Sequence, residues 1–124
     1  MSEKRVLVVD DEAAFLMAIR RILEGPGLHV DTAENFDDAM ALINGQRFNF
    51  VITDIRLTDV INTEGLDILR HIKEHSPETK VIILTGYGST EIMERAYSMG
   101  ANIYLEKPVS SNIITSILAN YGCS

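Results

Sequence analysis

Short apolar runs alternate with helix-like segments along the whole 124-residue chain. The apolar runs lie near residues 4–9, 28–32, 49–54, 80–84 and 101–105. Continuous runs of this length are typical of strands in a parallel sheet that helices cover on both faces. The second run alternates apolar and polar residues, which favours an edge strand. Repeated strand–helix units predict one doubly wound α/β domain with right-handed crossovers.

Each segment between or after these runs carries apolar residues at helical spacing, which predicts five amphipathic helices. The predicted stripes are Phe15, Ile19, Ile22 and Leu23; Phe36, Ala39, Met40 and Ile43; Leu66, Leu69 and Ile72; Ile92, Met93, Ala96 and Tyr97; and Ile113, Ile114, Ile117 and Leu118. Asn35 is the predicted N-cap of the second helix, and Ser89 or Thr90 that of the fourth. The chain shows no repeat or internal linker, so residues 1–124 are interpreted as a single domain, whole or part of a longer protein.

Charge and composition exclude several classes of function. A formal charge of −7 argues against a nucleic-acid binder or an anionic-membrane binder. The apolar runs are too short to span a bilayer, and the first residues lead directly into a strand pattern without a signal peptide. A lone cysteine, Cys123, allows no internal disulfide. We therefore expect a cytoplasmic protein with no contact to nucleic acid or membrane.

Polar side chains stand at the ends of four predicted strands. They are Asp10 and Asp11, Asp54, Thr85, and Lys107. Ligands of doubly wound sheets bind beyond the carboxyl ends of the strands, so we expect these groups to share one pocket. Three carboxylates packed without a counter-charge would raise the pKa of at least one of them, and a divalent cation removes that conflict. Mg²⁺ suits such an oxygen site, especially with phosphate oxygens nearby.

Each of these side chains has a chemical role available to it. A carboxylate such as Asp54 can attack a phosphoryl donor and form an acyl phosphate. The Thr85 hydroxyl can donate to a phosphoryl oxygen, and the Lys107 ammonium can pair with both carboxylate and phosphoryl group. Pro108 is expected to set the turn that aims Lys107 inward, through a cis bond. Asp11 is also a candidate N-cap of the first helix, with Glu12 in its first turn.

Taken in order, these residues resemble the signature of a response-regulator receiver domain. The resemblance rests on Asp10-Asp11, Asp54, Thr85 and Lys107-Pro108, and it covers essentially the whole chain. It implies a flavodoxin-like sheet of strand order 2-1-3-4-5 with five helices. It also implies that Asp54 accepts a phosphoryl group from a sensor histidine kinase or a phosphotransfer protein, and that the domain controls an output domain or a downstream protein. The stretch from Ile83 to Ser89 is similar to receivers that precede ATPase transcription activators.

The resemblance implies roles for further atoms. Mg²⁺ binds Asp10, Asp11, Asp54 and the backbone carbonyl of Arg56. Thr85 and Lys107 contact the phosphoryl group. Tyr104 matches the aromatic switch that turns inward as Thr85 moves, so that a local charge event biases a two-state element. The alternative interpretation of Tyr104 is an amphipathic ring on a half-exposed strand.

Two segments depart from the family pattern. The stretch from Leu57 to Gly65 is a few residues longer than usual and lacks the usual proline; we interpret it as a tolerated surface insertion. Residues 110–124 contain no Lys, Arg, Asp or Glu, which predicts that the charge-paired dimer of many DNA-binding members is absent or replaced. Arg56 and Tyr87 flank the expected pocket, and we expect their bulky side chains to slow hydrolysis of the acyl phosphate.

Three other classes of protein share parts of this pattern. An aspartate-dependent phosphatase usually carries a second acid two residues after its nucleophile, and no such acid follows Asp54. A flavin-binding module needs a phosphate loop after the first strand, where the acids here would repel phosphate. A degenerate receiver would have lost part of the signature, which is complete here. The histidines His29, His71 and His75 are interpreted as surface residues without metal-ligand spacing.

Overall fold

A computed structural model of the protein describes residues 3–55, 64–86 and 88–122. The elements alternate along the chain: β1 (Lys4–Val9), α1 (Ala13–Leu23), β2 (Leu28–Ala33), α2 (Phe36–Gly45), β3 (Phe50–Thr53), α3 (Glu64–His75), β4 (Lys80–Thr85), α4 (Thr90–Ser98), β5 (Ile103–Glu106) and α5 (Ser111–Asn120). The five strands form one parallel sheet in the order β2-β1-β3-β4-β5, so the predicted fold and strand order are confirmed.

Two apolar layers hold the sheet between its helices. Along β1, the side chains of Leu7 and Val9 face one layer, and those of Val6 and Val8 face the other. The first layer is filled by α2, α3 and α4, and the second by α1 and α5. This alternation follows from the two-residue period of a strand, with both faces buried as expected for a parallel sheet. Nothing in the described helices is long and apolar enough to cross a membrane.

The helix predictions hold for most stripe positions and fail at some. On α1, Ile22 is 49% exposed while Leu16 is buried, so the buried stripe is rotated from the predicted one. Tyr97 on α4 and Ile113 on α5 are also about half exposed, at 46% and 47%. An apolar residue beside the true stripe continues the helical period almost equally well, and only the packed sheet decides which face is covered.

The predicted helix caps can be checked individually. The Asn35 side chain accepts a hydrogen bond from the Asp38 backbone N–H, and Ser89 does the same for Ile92, which confirms Asn35 and selects Ser89 over Thr90. The interpretation of Asp11 as the N-cap of α1 is wrong. Glu12 occupies that position, without a side-chain cap, instead of the first turn.

The open edge of β5 is covered by a side chain from α4. The backbone N–H of Tyr104 donates to the Tyr97 hydroxyl over 3.0 Å. Unpaired backbone groups on an edge strand are exposed to competing partners, so this bond satisfies one such group internally. It also joins α4 directly to the strand that ends at the pocket.

Candidate functional site

The two innermost carboxylates are held by the backbone of the sheet. Asp10 and Asp54 directly follow β1 and β3, and their backbone N–H groups continue the strand ladder to Ala33 and Val9, each over 3.1 Å. Both residues are almost fully buried, at 1% and 2% exposed. Adjacent parallel strands therefore deliver two carboxylates side by side at the carboxyl edge of the sheet, as the sequence predicted.

Lys107 reaches this pair from the end of β5. Its Nζ lies 2.6 Å from Asp10 Oδ2 and 3.2 Å from Asp54 Oδ2, and Glu12 Oε1 is 3.5 Å away. The Lys107 backbone N–H donates to the Thr85 carbonyl over 2.9 Å, and the peptide bond to Pro108 is cis. The Lys107 ammonium is thus shared between two carboxylates that follow different strands, and the Lys107 backbone is bonded to the end of β4.

Phe15, on the first turn of α1, covers another side of Lys107. The ammonium lies 5.1 Å from the centre of the half-buried Phe15 ring. A cation over an aromatic face at this distance is attracted by the ring's electrons. From the sequence, Phe15 was predicted only as part of the apolar stripe of α1. Its position a few residues after the acidic pair was the available signal, but only the structure shows the contact.

Asp10 and Lys107 each shift the pKa of the other. Burial raises the pKa of Asp10, although the Lys107 ammonium and the Glu12 backbone N–H both favour its charged form. Burial also acts against the charge of Lys107, but the pull of Asp10 and Asp54 outweighs it and raises the pKa of the ammonium. Burial therefore disfavours the charged form of Asp10 even with Lys107 beside it, and a bound divalent cation would favour that form.

The acidic residues fit a divalent cation. Carboxylate oxygens of Asp10, Asp11 and Glu12 lie within 4.8 Å of one another, with Asp10 buried and the other two exposed. An adjoining cavity of about 300 Å³ is lined by Asp11, Glu12, Asp54, Gly86 and Lys107. Hard oxygen donors beside an open, water-accessible space are what Mg²⁺ requires, because it retains several waters. The predicted acids are thus brought together, and Glu12 joins them as a neighbour that the sequence analysis had placed only in the helix.

Thr85 and Gly65 lie close to the residues that line the pocket, without being among them. Thr85 is fully buried at the end of β4, next to Asp54's strand and to β5. Gly65 donates its backbone N–H to the Ile55 carbonyl over 2.9 Å. A β-carbon on Gly65 would overlap the Asp54 carbonyl oxygen, so α3 can pack against this backbone only with glycine there.

Tyr104 is the buried residue of β5, a strand whose other residues are partly or fully exposed. It is 8% exposed and belongs to the core layer of α2, α3 and α4. Its buried hydroxyl makes no hydrogen bond that meets the usual geometry with a described residue. Burial raises its pKa, with the charge of Glu106 acting in the same direction and the nearby Ser89 backbone opposing it. Its role as a switch stays a prediction.

Several predicted positions lie outside the described residues. They are the Arg56 carbonyl as a metal ligand, Tyr87 beside the pocket, Cys123, and the part of the longer loop at 57–63.

Comparison with known proteins places this site in a family. The sequence profile described as "Response regulator receiver domain" matches residues 6–119. The chain therefore belongs to the response-regulator receiver family, whose members are signalling domains of two-component phosphorelays. The fold and the site thus define a receiver domain.

Curated relatives agree with this assignment. The chain is 34% identical over 121 residues to the photosynthetic apparatus regulatory protein RegA of Rhodobacter capsulatus, covering 98% of this chain and 64% of that protein. It is 38% identical over 111 residues to the alginate biosynthesis transcriptional regulatory protein AlgB of Pseudomonas aeruginosa, covering 88% of this chain and 24% of that one. The chain thus spans less than two thirds of the length of these relatives.

Solved structures agree as well. A receiver domain protein of Methanospirillum hungatei superposes with a TM-score of 0.88 at 32% identity, covering 97% of this chain and 94% of that chain. The beryllofluoride-activated NtrC4 receiver domain dimer superposes with a TM-score of 0.82 at 34% identity, covering 96% and 95%.

Proposed function

We propose that this receiver domain is a phosphoacceptor: Asp54 takes a phosphoryl group, with Mg²⁺ bound, from the phosphohistidine of a histidine kinase or a phosphotransfer protein. The observation that carries the proposal is the position of the Asp54 carboxylate at the end of a central strand, 3.2 Å from Lys107 Nζ and beside Asp10. Asp54 also lines a cavity of about 300 Å³, which has room for a donor.

The chemistry is a single displacement at phosphorus. An Asp54 oxygen forms the new bond to phosphorus while the bond to the imidazole nitrogen breaks, and the imidazole leaves with the electron pair. Mg²⁺ held by Asp10, Asp11, Asp54 and the Arg56 carbonyl would neutralise the phosphoryl oxygens and orient them. Hydrolysis by the same geometry, with water as the nucleophile, would return Asp54 to its free form.

Lys107 and Thr85 act on the transferred group. Lys107 now divides its ammonium between Asp10 and Asp54, so it needs only a short movement to pair with a phosphoryl oxygen on Asp54. The Thr85 hydroxyl is proposed to donate to another phosphoryl oxygen. Movement of Thr85 would then change the packing of Tyr104, and through the bond between Tyr97 and Tyr104 it would reach α4.

The output is proposed to pass through the surface of α4, β5 and α5 to an output domain or a separate partner protein. Relatives such as AlgB carry the words "transcriptional regulatory protein" in their names and extend well beyond the matched region. We propose the same arrangement for the full protein, with the cytoplasm as its location and no direct contact between this domain and DNA. The charge of −7 supports that last point.

Binding of beryllofluoride, a phosphoryl mimic, would test the proposal without a partner kinase. Wild type and Asp54→Asn would be compared by NMR in Mg²⁺ with and without the mimic. We expect shifts at the amides of Thr85, Tyr104 and Lys107 in wild type only. Identical shifts in the Asp54→Asn variant would show that the mimic binds elsewhere. Steady turnover of a phosphate ester by the wild type would instead favour the phosphatase.

A further inference from the structure

Two histidines stack on the last turn of α3. The ring centres of His71 and His75 are 4.2 Å apart, with an angle of 26° between the ring planes. Residues four apart lie on one face of a helix, so this contact follows from the spacing. No metal-ligand spacing was found among the histidines in the sequence, and the pairing of these two becomes visible only in the fold. Gly65, at the other end of the same helix, contacts the backbone of Asp54, so the histidines are remote from the carboxylate pocket.

Hydrogen bonds select one nitrogen on each ring. His75 Nδ1 lies 2.9 Å from the His71 carbonyl oxygen, which can only accept, so Nδ1 carries the proton in the neutral ring. His71 Nε2 lies 3.1 Å from Asn44 Oδ1, which likewise accepts. The unprotonated nitrogens of the neutral rings are then Nε2 of the exposed His75 and Nδ1 of the half-buried His71.

The hydrogen bonds of both rings are of the kind found in metal-binding histidines. Such histidines almost always donate the N–H of the other ring nitrogen to a carbonyl or carboxylate, which fixes the tautomer and the ring orientation. Here both rings have that support before any cation binds, one from α3 itself and one from α2.

We propose that His71 Nδ1 and His75 Nε2 form a bidentate site for a divalent transition-metal cation of the zinc, nickel and copper class. Imidazole nitrogen binds these ions, whereas Mg²⁺ prefers oxygen donors, so the two cation sites of this domain select different metals. Among the described residues, no third acidic, histidine or cysteine ligand converges on the pair, so water completes the coordination.

The surroundings favour a cation. Asp67 precedes His71 by one helical turn, and Glu74 lies next to His75 in the chain. The positive charge of Arg70, which precedes His71, is paired with Asp67 over 2.8 Å. A cavity of about 330 Å³ borders His71 and has room for the metal's waters. Because His71 is bonded to Asn44 on α2, a bound cation would also fix α3 to α2 and stabilise the folded state.

The test follows the three histidine C2–H signals by NMR while Zn²⁺ is added to the full chain. Cys123→Ser removes the thiol as a competing ligand, and saturating Mg²⁺ fills the carboxylate pocket. We expect the signals of His71 and His75 to shift together with one equivalent of bound Zn²⁺, and that of His29 to stay. His29 is the internal control, since it has a carboxylate neighbour, Glu3, at 3.2 Å but no second histidine.

Two variants make the outcome decisive. His75→Gln changes an exposed side chain, so the fold is expected to persist, and the Zn²⁺ response of His71 should disappear. His29→Gln should leave the response of the pair unchanged. The proposal is overturned if Zn²⁺ shifts no histidine signal, if His29 responds as strongly as the pair, or if the His71 response survives in His75→Gln.

Discussion

Tyr104 occupies the space that a side chain at position 88 would need. A β-carbon built on Gly88 would overlap the Tyr104 hydroxyl and would come within 3.0 Å of the ring carbon that bears it. The inward position of Tyr104 therefore depends on the absence of a side chain at Gly88. Both residues flank α4, so the packing of the strand and the start of the helix are linked by this one contact.

Gly88→Ala is expected to destabilise the domain by about 1–3 kcal/mol, because the added methyl group cannot be accommodated while Tyr104 stays inward. Tyr104→Phe should be close to neutral, since the hydroxyl it removes is buried without a good hydrogen-bond partner. The double variant should recover much of the loss caused by Gly88→Ala. Urea unfolding of all four proteins measures the coupling, and strictly additive effects would contradict the steric link.

Tyr97→Phe removes the acceptor of the Tyr104 backbone N–H and keeps the ring. We expect a loss of roughly 0.5–1.5 kcal/mol in unfolding free energy, the usual net value of one hydrogen bond. Hydrogen exchange at the Tyr104 amide should speed up more than exchange at Leu105. Tyr121→Phe is a matched control, because it removes a phenolic hydroxyl from another partly exposed ring. Unchanged protection of the Tyr104 amide in Tyr97→Phe would show that the bond adds nothing.

Asp10→Asn should make the metal-free domain more stable. Burial raises the native pKa of Asp10 above the ordinary 3.8, so the native state holds this proton more tightly than the unfolded state does. As the pH rises from 3.8 to the raised native pKa, ionisation of Asp10 therefore lowers the free energy of unfolding. Above that pH range the full loss of stability is present. At neutral pH the Asp10→Asn protein should therefore unfold at a higher urea concentration than the wild type.

The same variant should lose its response to Mg²⁺. Wild type gains about 1.4 kcal/mol at Mg²⁺ ten times above Kd, because the cation binds only the folded state. Thermal or urea unfolding with and without Mg²⁺ measures both effects. A less stable Asp10→Asn protein that still responds to Mg²⁺ would contradict this view of the pocket.

The uncharged α5 predicts that phosphorylation does not produce the charge-paired dimer. Residues 110–124 contain no charged side chain to pair with those of α4. Light scattering with and without beryllofluoride measures the mass. A dimer that forms only with the mimic, and that Glu94→Gln or Arg95→Gln abolishes, would overturn the prediction. A salt-insensitive dimer would instead indicate apolar contacts, for example through Ile113.

Much of this site could be predicted from sequence because it depends on strand ends. Asp10, Asp54 and Lys107 each follow an apolar run, and parallel strands bring such positions together irrespective of side-chain detail. The contacts across elements could not be predicted in this way. No local pattern indicates that Lys107 lies closer to Asp10 than to Asp54, or that Phe15 faces its ammonium.

Helix rotation and helix ends were also beyond the sequence pattern. Ile22 fits the apolar period of α1, yet it is exposed, because the sheet covers the face that carries Leu16. Asp11 is a residue type that often caps helices. Here the turn after β1 lets Asp10 Oδ1 accept a hydrogen bond from the Glu12 N–H, and α1 begins one residue later than predicted. The hydroxyl of the half-exposed Tyr97 accepts a hydrogen bond from the backbone of β5, and the helical period of α4 does not predict this contact.

The most direct test of the account is the intact mass of the protein after incubation with a small phosphodonor. Wild type and Asp54→Asn are compared with and without Mg²⁺. The account predicts one phosphoryl adduct on wild type, dependent on Mg²⁺ and absent from Asp54→Asn. An equal adduct on Asp54→Asn, or none on a folded, Mg²⁺-binding wild type with both the small donor and a cognate kinase, would contradict Asp54 as the phosphoacceptor.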